Sequence, residues 1–359
     1  MSNNEAPRSG NDGAGFHIVA GSGGCRAMLA TIGMLLALFW FGIRKIKSAG
    51  GISGGAIPMV FLSAGFDVRQ ILKLAVELDF QSLLDFGEKI AWVLIDHYSG
   101  TRRKGDPPAK GTFKMNRFES WLHEKLGEGW PKHLEYWTMA TDVRGAQILL
   151  TGGGVFRREE GGQFVRITSV QPPLGKSICA TCTVPGVFMP VDLPLDDGSS
   201  LKVWDGALSW ESMRPASLVE EFYNASPGEI ILCDVGVELN RFDRYANHIW
   251  KLICGGRCVP PRGKRSVNED KMLVIQPAVM SVRTFEFAAH SDKKWLAIME
   301  GFAATVDALN KGYRLTDAQY LEGRALLDEF NQLVRDYKDA APGTVSKKTE
   351  YLLTAYGVI

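Results

Sequence analysis

The stretch Gly51-Ile52-Ser53-Gly54-Gly55 has the Gly-x-Ser-x-Gly spacing of a nucleophile elbow, a tight turn between a strand and a helix. A short predicted strand, residues 46–49, precedes it, and a predicted helix, residues 55–64, follows it. The small residues at Gly51 and Gly55 allow a sharp turn that lifts one hydroxyl clear of its neighbours. The start of the following helix favours the negative charge that develops when a serine attacks an ester carbonyl. Ser53 is therefore a candidate nucleophile, although a chain with 39 glycines can contain this motif by chance.

A second glycine-rich segment, Gly21-Ser22-Gly23-Gly24-Cys25-Arg26-Ala27, follows the predicted strand Phe16 to Ala20. It opens a strongly apolar stretch that is predicted to be helical. Unhindered backbone N–H groups at a helix start suit a phosphate or an oxyanion. Arg26 is either part of that site, a contact for a lipid phosphate, or a structural cation.

A carboxylate on a turn completes the set of candidate groups. Val203-Trp204-Asp205-Gly206-Ala207 is a short strand-like run that ends in a turn, about 150 positions after Ser53. Asp205 is either a catalytic group or a turn former that caps its own backbone. Only the tertiary fold can bring it to the serine.

The three segments, in this order, resemble the patatin-like phospholipase family. The resemblance extends to Met139-Ala140-Thr141-Asp142 and to residues 180–190, and covers residues 15 to about 312. It implies a three-layer α/β fold, with a central, mostly parallel sheet and helices on both faces. Departures occur in the loop, where Gly21, Ser22 and Ala27 replace an Asp and two Gly of the family pattern. The asparagine that often follows the Asp-Gly turn is also missing.

The resemblance implies a lipid acyl hydrolase, a phospholipase A or lysophospholipase that cleaves fatty acyl esters through an acyl-enzyme. Ser53 would be the nucleophile and Asp205 the base of a dyad without histidine. Gly23, Gly24 and Arg26 would form the oxyanion hole. Phospholipid or lysophospholipid is the implied substrate, and neither a cofactor nor a metal is implied.

The residues themselves also favour an α/β fold, because short predicted strands alternate with predicted helices. Functional groups in such folds lie at the carboxyl ends of strands. The glycine-rich loop, Ser53 and Asp205 each follow a strand-like run. The order of elements therefore agrees with a shared site.

Composition limits the function classes. The net charge of +1 gives no bulk electrostatic case for nucleic acid. Six cysteines are too few for a disulfide scaffold at this length, and Cys179-x-x-Cys182 has no second pair at zinc-site spacing. We therefore expect no metal, and reduced thiols in a cytoplasmic protein.

Several segments suit a membrane surface. Basic clusters at residues 44–47, 102–104 and 257–265 would attract anionic headgroups, or are solvated loops. Segments 100–114 and 254–268 are lids or mere connectors. The apolar stretch Met28 to Ile43 is short for a membrane span, and residues 35–41 are apolar around the whole helix. That helix end is either covered by protein or meets lipid or a partner. We expect a cytoplasmic protein that associates peripherally with membranes.

The chain ends are expected to differ from the central domain. Residues 1–14 are polar and glycine-rich, unlike a secretory signal, and are expected to be disordered. Residues 15–312 form the predicted phospholipase domain. Residues 313–359 are predicted to carry an amphipathic helix that begins with a Thr316–Gln319 capping box. This helix packs on the domain or forms an oligomer contact.

Two alternatives to the lipid hydrolase stay open. One is a membrane-binding or scaffold protein on a decayed hydrolase fold. The other is a non-lipid serine esterase with a histidine triad, in which the histidine follows the acid in the chain. Only His248 and His290 meet that condition.

Overall fold

A computed structural model of the chain describes residues 15–83, 114–142, 145–159, 162–184, 188–208, 215–235, 268–312 and 314–359. The strands in these ranges are β1 (Phe16–Ala20), β2 (Ile46–Gly51), β3 (Glu135–Asp142), β4 (Gln147–Thr151), β5 (Gly154–Arg158), β6 (Phe164–Thr168), β7 (Val191–Pro194), β8 (Ser200–Asp205), β9 (Ile230–Cys233) and β10 (Leu273–Ile275). The α-helices are α1 (Gly24–Trp40), α2 (Ala56–Ser63), α3 (Val68–Glu77), α4 (Phe80–Leu83), α5 (Asn116–Leu126), α6 (Leu174–Cys182), α7 (Ala216–Tyr223), α8 (Ser291–Lys311), α9 (Asp317–Asp336) and α10 (Thr344–Ala355).

One mixed sheet runs through the molecule. Its parallel half has the strand order β10-β9-β1-β2-β3. Beyond β3 the sheet continues antiparallel through β4, β5 and β6, and β8 also pairs antiparallel with β3. The α/β prediction is confirmed, and the antiparallel extension limits the parallel part to the half that carries β1 and β2.

Alternate residues of the central strands face two separate apolar layers, as the period of a strand requires. Ile18 and Ala20 of β1 belong to the larger core, which includes α1, α2 and α8. Val19 faces the other side, where Leu218 and Val219 of α7 cover the sheet. Helices therefore lie on both faces, and the three-layer prediction is confirmed.

Helix α1 is buried along nearly its whole length, from Cys25 to Leu38. Helix α8 crosses it at two glycines. A Cβ on Gly33 would lie 1.8 Å from the Ile298 carbonyl oxygen, and a Cβ on Gly301 would lie 2.2 Å from that of Ala30. The two backbones touch at this crossing, so any larger residue would push the helices apart. Protein covers the apolar helix, which resolves the alternative that the sequence left open.

The aromatic end of α1 is packed as well. The Trp40 ring centroid lies 5.7 Å from that of Phe302 in α8. A Cβ on Gly323 in α9 would lie 3.2 Å from Phe41 Cζ. Helices α8 and α9 thus pack against part of this end, while Phe39, Trp40 and Phe41 stay partly exposed. Within the described residues, no helix is long and apolar enough to cross a membrane.

The C-terminal region contains more than the single predicted helix. Thr316 and Gln319 form the predicted capping box at the start of α9. Leu327 and Phe330 are buried, so the helix packs on the domain, and α10 follows it. Helix α3 ends at Glu77. The N-terminal segment 1–14 lies outside the described residues.

Candidate active site

Ser53 lies directly after β2 with a left-handed backbone, at φ +54°. A residue with a side chain adopts this conformation only at a cost of roughly 1–3 kcal/mol, so the surroundings must hold it there. The Ser53 N–H donates to Thr181 Oγ1 at 2.9 Å rather than to the main chain. This turn places Ser53 between β2 and α2, as the elbow motif predicted, but the side chain is buried.

The glycines of the elbow are required by close backbone contacts. A Cβ on Gly55 would lie 2.3 Å from the Gly21 carbonyl oxygen, and one on Gly51 would lie 2.8 Å from that of Ala20. A Cβ on Gly54 would lie 2.1 Å from the carbonyl oxygen of Gly24. The elbow and the glycine-rich loop are therefore in direct backbone contact.

Asp205 is the last residue of β8, and its side chain contacts that of Ser53. Ser53 Oγ donates to Asp205 Oδ2 at 2.8 Å. The other carboxylate oxygen accepts the Ala207 N–H at 2.8 Å. Both side chains are almost fully buried, with exposed fractions of 7% for Ser53 and 1% for Asp205. The fold therefore brings together two groups that stand 152 positions apart in the chain.

Burial controls the protonation of the carboxylate. It raises the pKa of Asp205 from 3.8 to about 7, against the smaller, opposing effects of the hydrogen bonds from Ala207 and Ser53. A group with a pKa near the working pH is suited to accept and return a proton within one catalytic cycle. The pair can therefore support general-base chemistry at neutral pH.

The C-terminal end of α6 holds both members of the pair. Thr181 Oγ1 binds the Ser53 N–H, and the Thr183 carbonyl oxygen accepts the Asp205 N–H at 2.8 Å. Thr181 and Thr183 are fully buried. The sequence pattern alone gives these two threonines no role, although they lie in the segment 180–190 that carries part of the family resemblance. Residues 185–187 lie outside the described residues.

Of the residues predicted for the oxyanion hole, Gly24 is the one that lies near Ser53. Gly24, at φ +57°, lines the same cavity as Ser53 and Gly54. Gly23, at φ +155°, packs closely on the Val235 side chain and is not among the lining residues. The Cys25 N–H donates to the Thr284 carbonyl oxygen at 2.9 Å. Within the glycine-rich loop, Gly24 and Cys25 therefore border the cavity that Ser53 lines.

Arg26 lies elsewhere than the sequence predicted. Its side chain is only 1% exposed and does not line the cavity. Nε donates to the Val279 carbonyl oxygen and Nη2 to that of Val235, each at 3.2 Å. The guanidinium group thus supports the backbone behind the loop, as in the structural alternative that the sequence left open.

An apolar cavity opens at Ser53, and the empty space between its walls, open solvent included, is about 580 Å³. Its walls are aromatic, aliphatic and sulfur-containing side chains, together with the glycines of the two loops. The lining residues are Gly24, Cys25, Met28, Ser53, Gly54, Ile57, Phe80, Leu83, Met115, Phe118, Cys182, Val184, Phe188, Phe285 and Phe287. This apolar lining suits a hydrocarbon chain. We call it the proximal cavity.

The remaining candidate groups lie away from Ser53 or outside the described residues. The His290 side chain is 52% exposed and lies 3.8 Å from Asp292, while His248 lies outside the described residues. Burial raises the pKa of the Cys179 and Cys182 thiols. Within the described ranges, no group of three or more His, Cys, Asp or Glu side chains is placed to hold a metal.

Of the three basic clusters, only residues 44–47 belong to the described part of the chain, and they do not adjoin the cavity. Residues 44–47 lie before or at the start of β2, whereas Ser53 follows the end of β2. This cluster and Ser53 therefore lie at opposite ends of the strand. Lys47 is paired with Glu229 at 2.6 Å. The clusters at 102–104 and 257–265, and nearly all of both lid candidates, lie outside the described residues.

The α/β fold, the elbow and the apolar cavity are features that a hydrolase of apolar esters would need. The patatin-like phospholipase family model matches residues 18–219, more than half of the chain and a range that includes Ser53 and Asp205. The protein therefore belongs to the patatin-like phospholipase family. No functionally curated protein matches the sequence.

Solved structures show distant likenesses. VipD from Legionella pneumophila is 12% identical with a TM-score of 0.46, over 95% of this chain and 79% of that one. Human GIVD cytosolic phospholipase A2 is 12% identical with a TM-score of 0.47, over 87% of this chain and 61% of that one. The type III effector protein ExoU is 12% identical with a TM-score of 0.25, over 95% and 69% of the two chains. The chain thus spans about three-fifths of the human structure's length.

Proposed function

We propose that the protein hydrolyses the fatty acyl esters of phospholipids or lysophospholipids by a Ser53–Asp205 dyad. The observation that carries the proposal is the 2.8 Å hydrogen bond between the Ser53 hydroxyl and the Asp205 carboxylate, beside an apolar cavity. Family membership supplies the lipid substrate class. The cavity accommodates the acyl chain, and the polar headgroup stays outside it.

In the first half of the reaction, the Asp205 carboxylate accepts the hydroxyl proton as Ser53 Oγ attacks the ester carbonyl carbon. The N–H groups of Gly24 and Gly54 stabilise the oxyanion of the tetrahedral intermediate. The intermediate collapses as the C–O bond to the leaving alcohol breaks. Asp205 returns its proton to that oxygen, and the acyl group stays on Ser53.

In the second half, a water molecule attacks the acyl carbon and gives its proton to Asp205. The bond between the acyl carbon and Ser53 Oγ breaks, the serine regains the proton, and the fatty acid leaves. Asp205 thus serves as base and then acid in both halves. This cycle needs neither a metal nor a histidine.

The substrate class requires contact with a lipid surface, so we also propose peripheral membrane association in the cytoplasm. Among the described residues, the apolar cavity and the partly exposed aromatic end of α1 support this proposal. The basic clusters beyond the described residues are the further candidates for that contact.

Lipid profiling tests the proposal. Cells expressing the wild type should accumulate free fatty acid and lysophospholipid, and cells expressing Ser53→Ala should not. The purified Ser53→Ala protein should melt at a temperature close to that of the wild type. Ser63→Ala is a matched control, because Ser63 is also fully buried but lies at the end of α2, beyond the elbow. Equal lipid turnover in wild type and Ser53→Ala would reject Ser53 as the nucleophile.

The esterase with a histidine triad and the scaffold protein are less well supported. The Ser53 hydroxyl already donates to a carboxylate, and His290 is half exposed and lies close to Asp292. A scaffold has no need of a strained serine beside a buried carboxylate. Neither alternative has an observation of its own.

A further inference from the structure

Part of the wall of the proximal cavity is a segment without regular secondary structure. Between β10 and α8, residues 276–290 form neither a helix nor a strand. We call residues 279–287 of this segment the strap. Phe285 and Phe287 of the strap line the cavity at Ser53. Because the strap lacks the hydrogen-bond ladder of a helix or strand, other contacts must determine its path.

The strap contacts the glycine-rich loop at three points. The Cys25 N–H donates to the Thr284 carbonyl oxygen at 2.9 Å. A Cβ on Gly24 would lie 2.1 Å from the same oxygen, so the two backbones touch there. Further along the loop, Arg26 Nε donates to the Val279 carbonyl oxygen at 3.2 Å. The position of the strap therefore determines where the backbone of Gly24 and Cys25 lies beside Ser53.

Glu300 of α8 binds the strap from the other side. Its Oε2 accepts a hydrogen bond from the Ser281 hydroxyl at 2.7 Å, and its Oε1 accepts one from the Met280 N–H at 3.2 Å. Burial raises the pKa of the Glu300 carboxyl, while the hydrogen bond from Ser281 and the charge of Arg26 oppose that rise. A cation and a carboxylate that attract each other thus bind consecutive residues of the strap.

The backbone of α8 is fixed relative to α1 next to Glu300. A Cβ on the following residue, Gly301, would lie 2.2 Å from the Ala30 carbonyl oxygen of α1. Helix α1 begins at Gly24, in the glycine-rich loop itself. A closed chain of contacts therefore runs from Arg26 through the strap to Glu300, and returns through α8 to α1.

We propose that Glu300 is a positioning residue for the reaction at Ser53. Through residues 280 and 281 it fixes the strap, and through Thr284 the strap fixes the backbone of Gly24 and Cys25. The inference rests on the proposed ester hydrolysis and adds to it a residue beyond the range 18–219 that the family model matches. Glu300 is not among the residues that line the cavity, so it acts through the loop and not on the substrate.

The expected effect is on turnover and not on binding. Without the carboxylate the strap is free to shift, and a displacement of about 1 Å at a reacting centre can cost about 10²-fold in rate. Ester binding depends mainly on the apolar walls of the cavity, which keep their side chains. The strap lies at the surface near Glu300, with the Met280 side chain 55% exposed, so water can replace the lost acceptor and Glu300→Ala should fold.

Steady-state hydrolysis of p-nitrophenyl butyrate at pH 8 tests the proposal. Glu300→Ala should lower kcat about tenfold or more and change KM less than about threefold. Glu300→Gln should restore most of kcat, because its amide group can accept the Met280 N–H and donate to the Ser281 hydroxyl oxygen. The matched control is Asp307→Ala, which removes another carboxylate of α8, 43% exposed and paired with Arg324, and should leave kcat unchanged. Equal kcat values for Glu300→Ala and Asp307→Ala would overturn the proposal, as would a raised KM with unchanged kcat.

A variant on the strap keeps the test independent of the folding of Glu300→Ala. Ser281→Ala removes one of the two hydrogen bonds and should also lower kcat with little change in KM. In the double variant with Glu300→Ala, the loss should not exceed that of Glu300→Ala alone, because both changes break the same contact. An unchanged kcat in Ser281→Ala, or losses that multiply in the double variant, would overturn the proposal.

This proposal and the proposed function fail in different ways. Wild-type turnover in Ser53→Ala would reject the proposed function itself. Hydrolysis that depends on Ser53 but has the same kcat in Glu300→Ala as in the wild type would reject the positioning role alone.

Discussion

Lowering the pH should inactivate the enzyme by protonating Asp205, with a midpoint near pH 7. The carboxylate must be ionised to accept the Ser53 proton, and burial raises the pKa of Asp205 to about 7. A solvated aspartate would stay ionised down to about pH 4. From the sequence alone, a carboxylate base would be expected to support turnover down to pH ~5.5. Because Asp205 is buried, we expect turnover to fall already near pH 7.

The size of the effect follows from a single titration. Below the midpoint, kcat/KM should fall about tenfold for each pH unit, because only the ionised fraction of Asp205 is active. At pH 5.5 the loss relative to the plateau should be about 30-fold, and at pH 5 about 100-fold. Above pH 8 the rate should be nearly constant.

The same titration should appear in the stability of the fold. The folded-state pKa of Asp205 is raised, so its contribution to the free energy of unfolding is fully present below pH ~4 and is lost as the pH rises through about 7. The change from 3.8 to about 7 corresponds to roughly 4 kcal/mol. Asp205→Asn cannot ionise, so it should melt at a higher temperature than the wild type at pH 8 and show little difference at pH 4.

The assay is hydrolysis of a soluble short-chain ester between pH 5 and pH 9, with His248→Ala and His290→Ala beside the wild type. Both variants should retain substantial activity and the wild-type midpoint. A profile that stays flat down to pH 5 would show that Asp205 is not a base with a raised pKa. A midpoint that vanishes together with activity in either histidine variant would refute the dyad in favour of a triad.

Three further predictions concern individual side chains. Asp205→Asn should lower kcat by about 10²–10⁴-fold, because an amide cannot accept the Ser53 proton, and a kcat within tenfold of wild type in steady-state assays would contradict the base assignment. Thr181→Val should lower kcat about 10-fold or more with little change in KM, and Thr181→Ser should restore most of it; equal kcat values for the two variants would show that the bond to the Ser53 N–H is dispensable. Gly54→Ala should nearly abolish turnover, because the new Cβ would lie 2.1 Å from the Gly24 carbonyl oxygen, and a crystal structure of this variant with both loops unmoved would contradict that reasoning.

Local sequence pattern predicted the strands that carry the site. The predicted strand Phe16–Ala20 matches the observed β1, and the predicted strand before Ser53 differs from β2 only at its end. These segments are apolar runs bounded by glycine or polar residues, so their identity is set by neighbours in the chain. The hairpin of β5 and β6 was not predicted, because Gly154–Arg158 and Phe164–Thr168 are only partly buried and alternate weakly.

Properties that depend on distant residues could not be obtained this way. The carbonyl partners of Arg26 stand 209 and 253 positions away, and a lone arginine beside a glycine-rich loop suggests an anion site equally well. The pKa of Asp205 depends on burial by segments that join only in the fold. Thr181 likewise meets Ser53 across 128 positions. The order of the motifs was thus enough to identify candidate site residues from the sequence. Their electrostatic environment could be described only from the structure.

The contact between α1 and α8 shows that the unit that can fold is longer than the stretch that the family model matches. The family model ends at residue 219, whereas Gly301, which meets α1 backbone to backbone, comes some 80 residues later. A protein cut at that limit would lose β9, β10 and α8, leaving one face of the central helix and one edge of the sheet open to water. Homology therefore marks where the catalytic machinery is encoded, and any excised fragment, fusion or domain transplant must extend through α8 to keep that machinery in a stable protein.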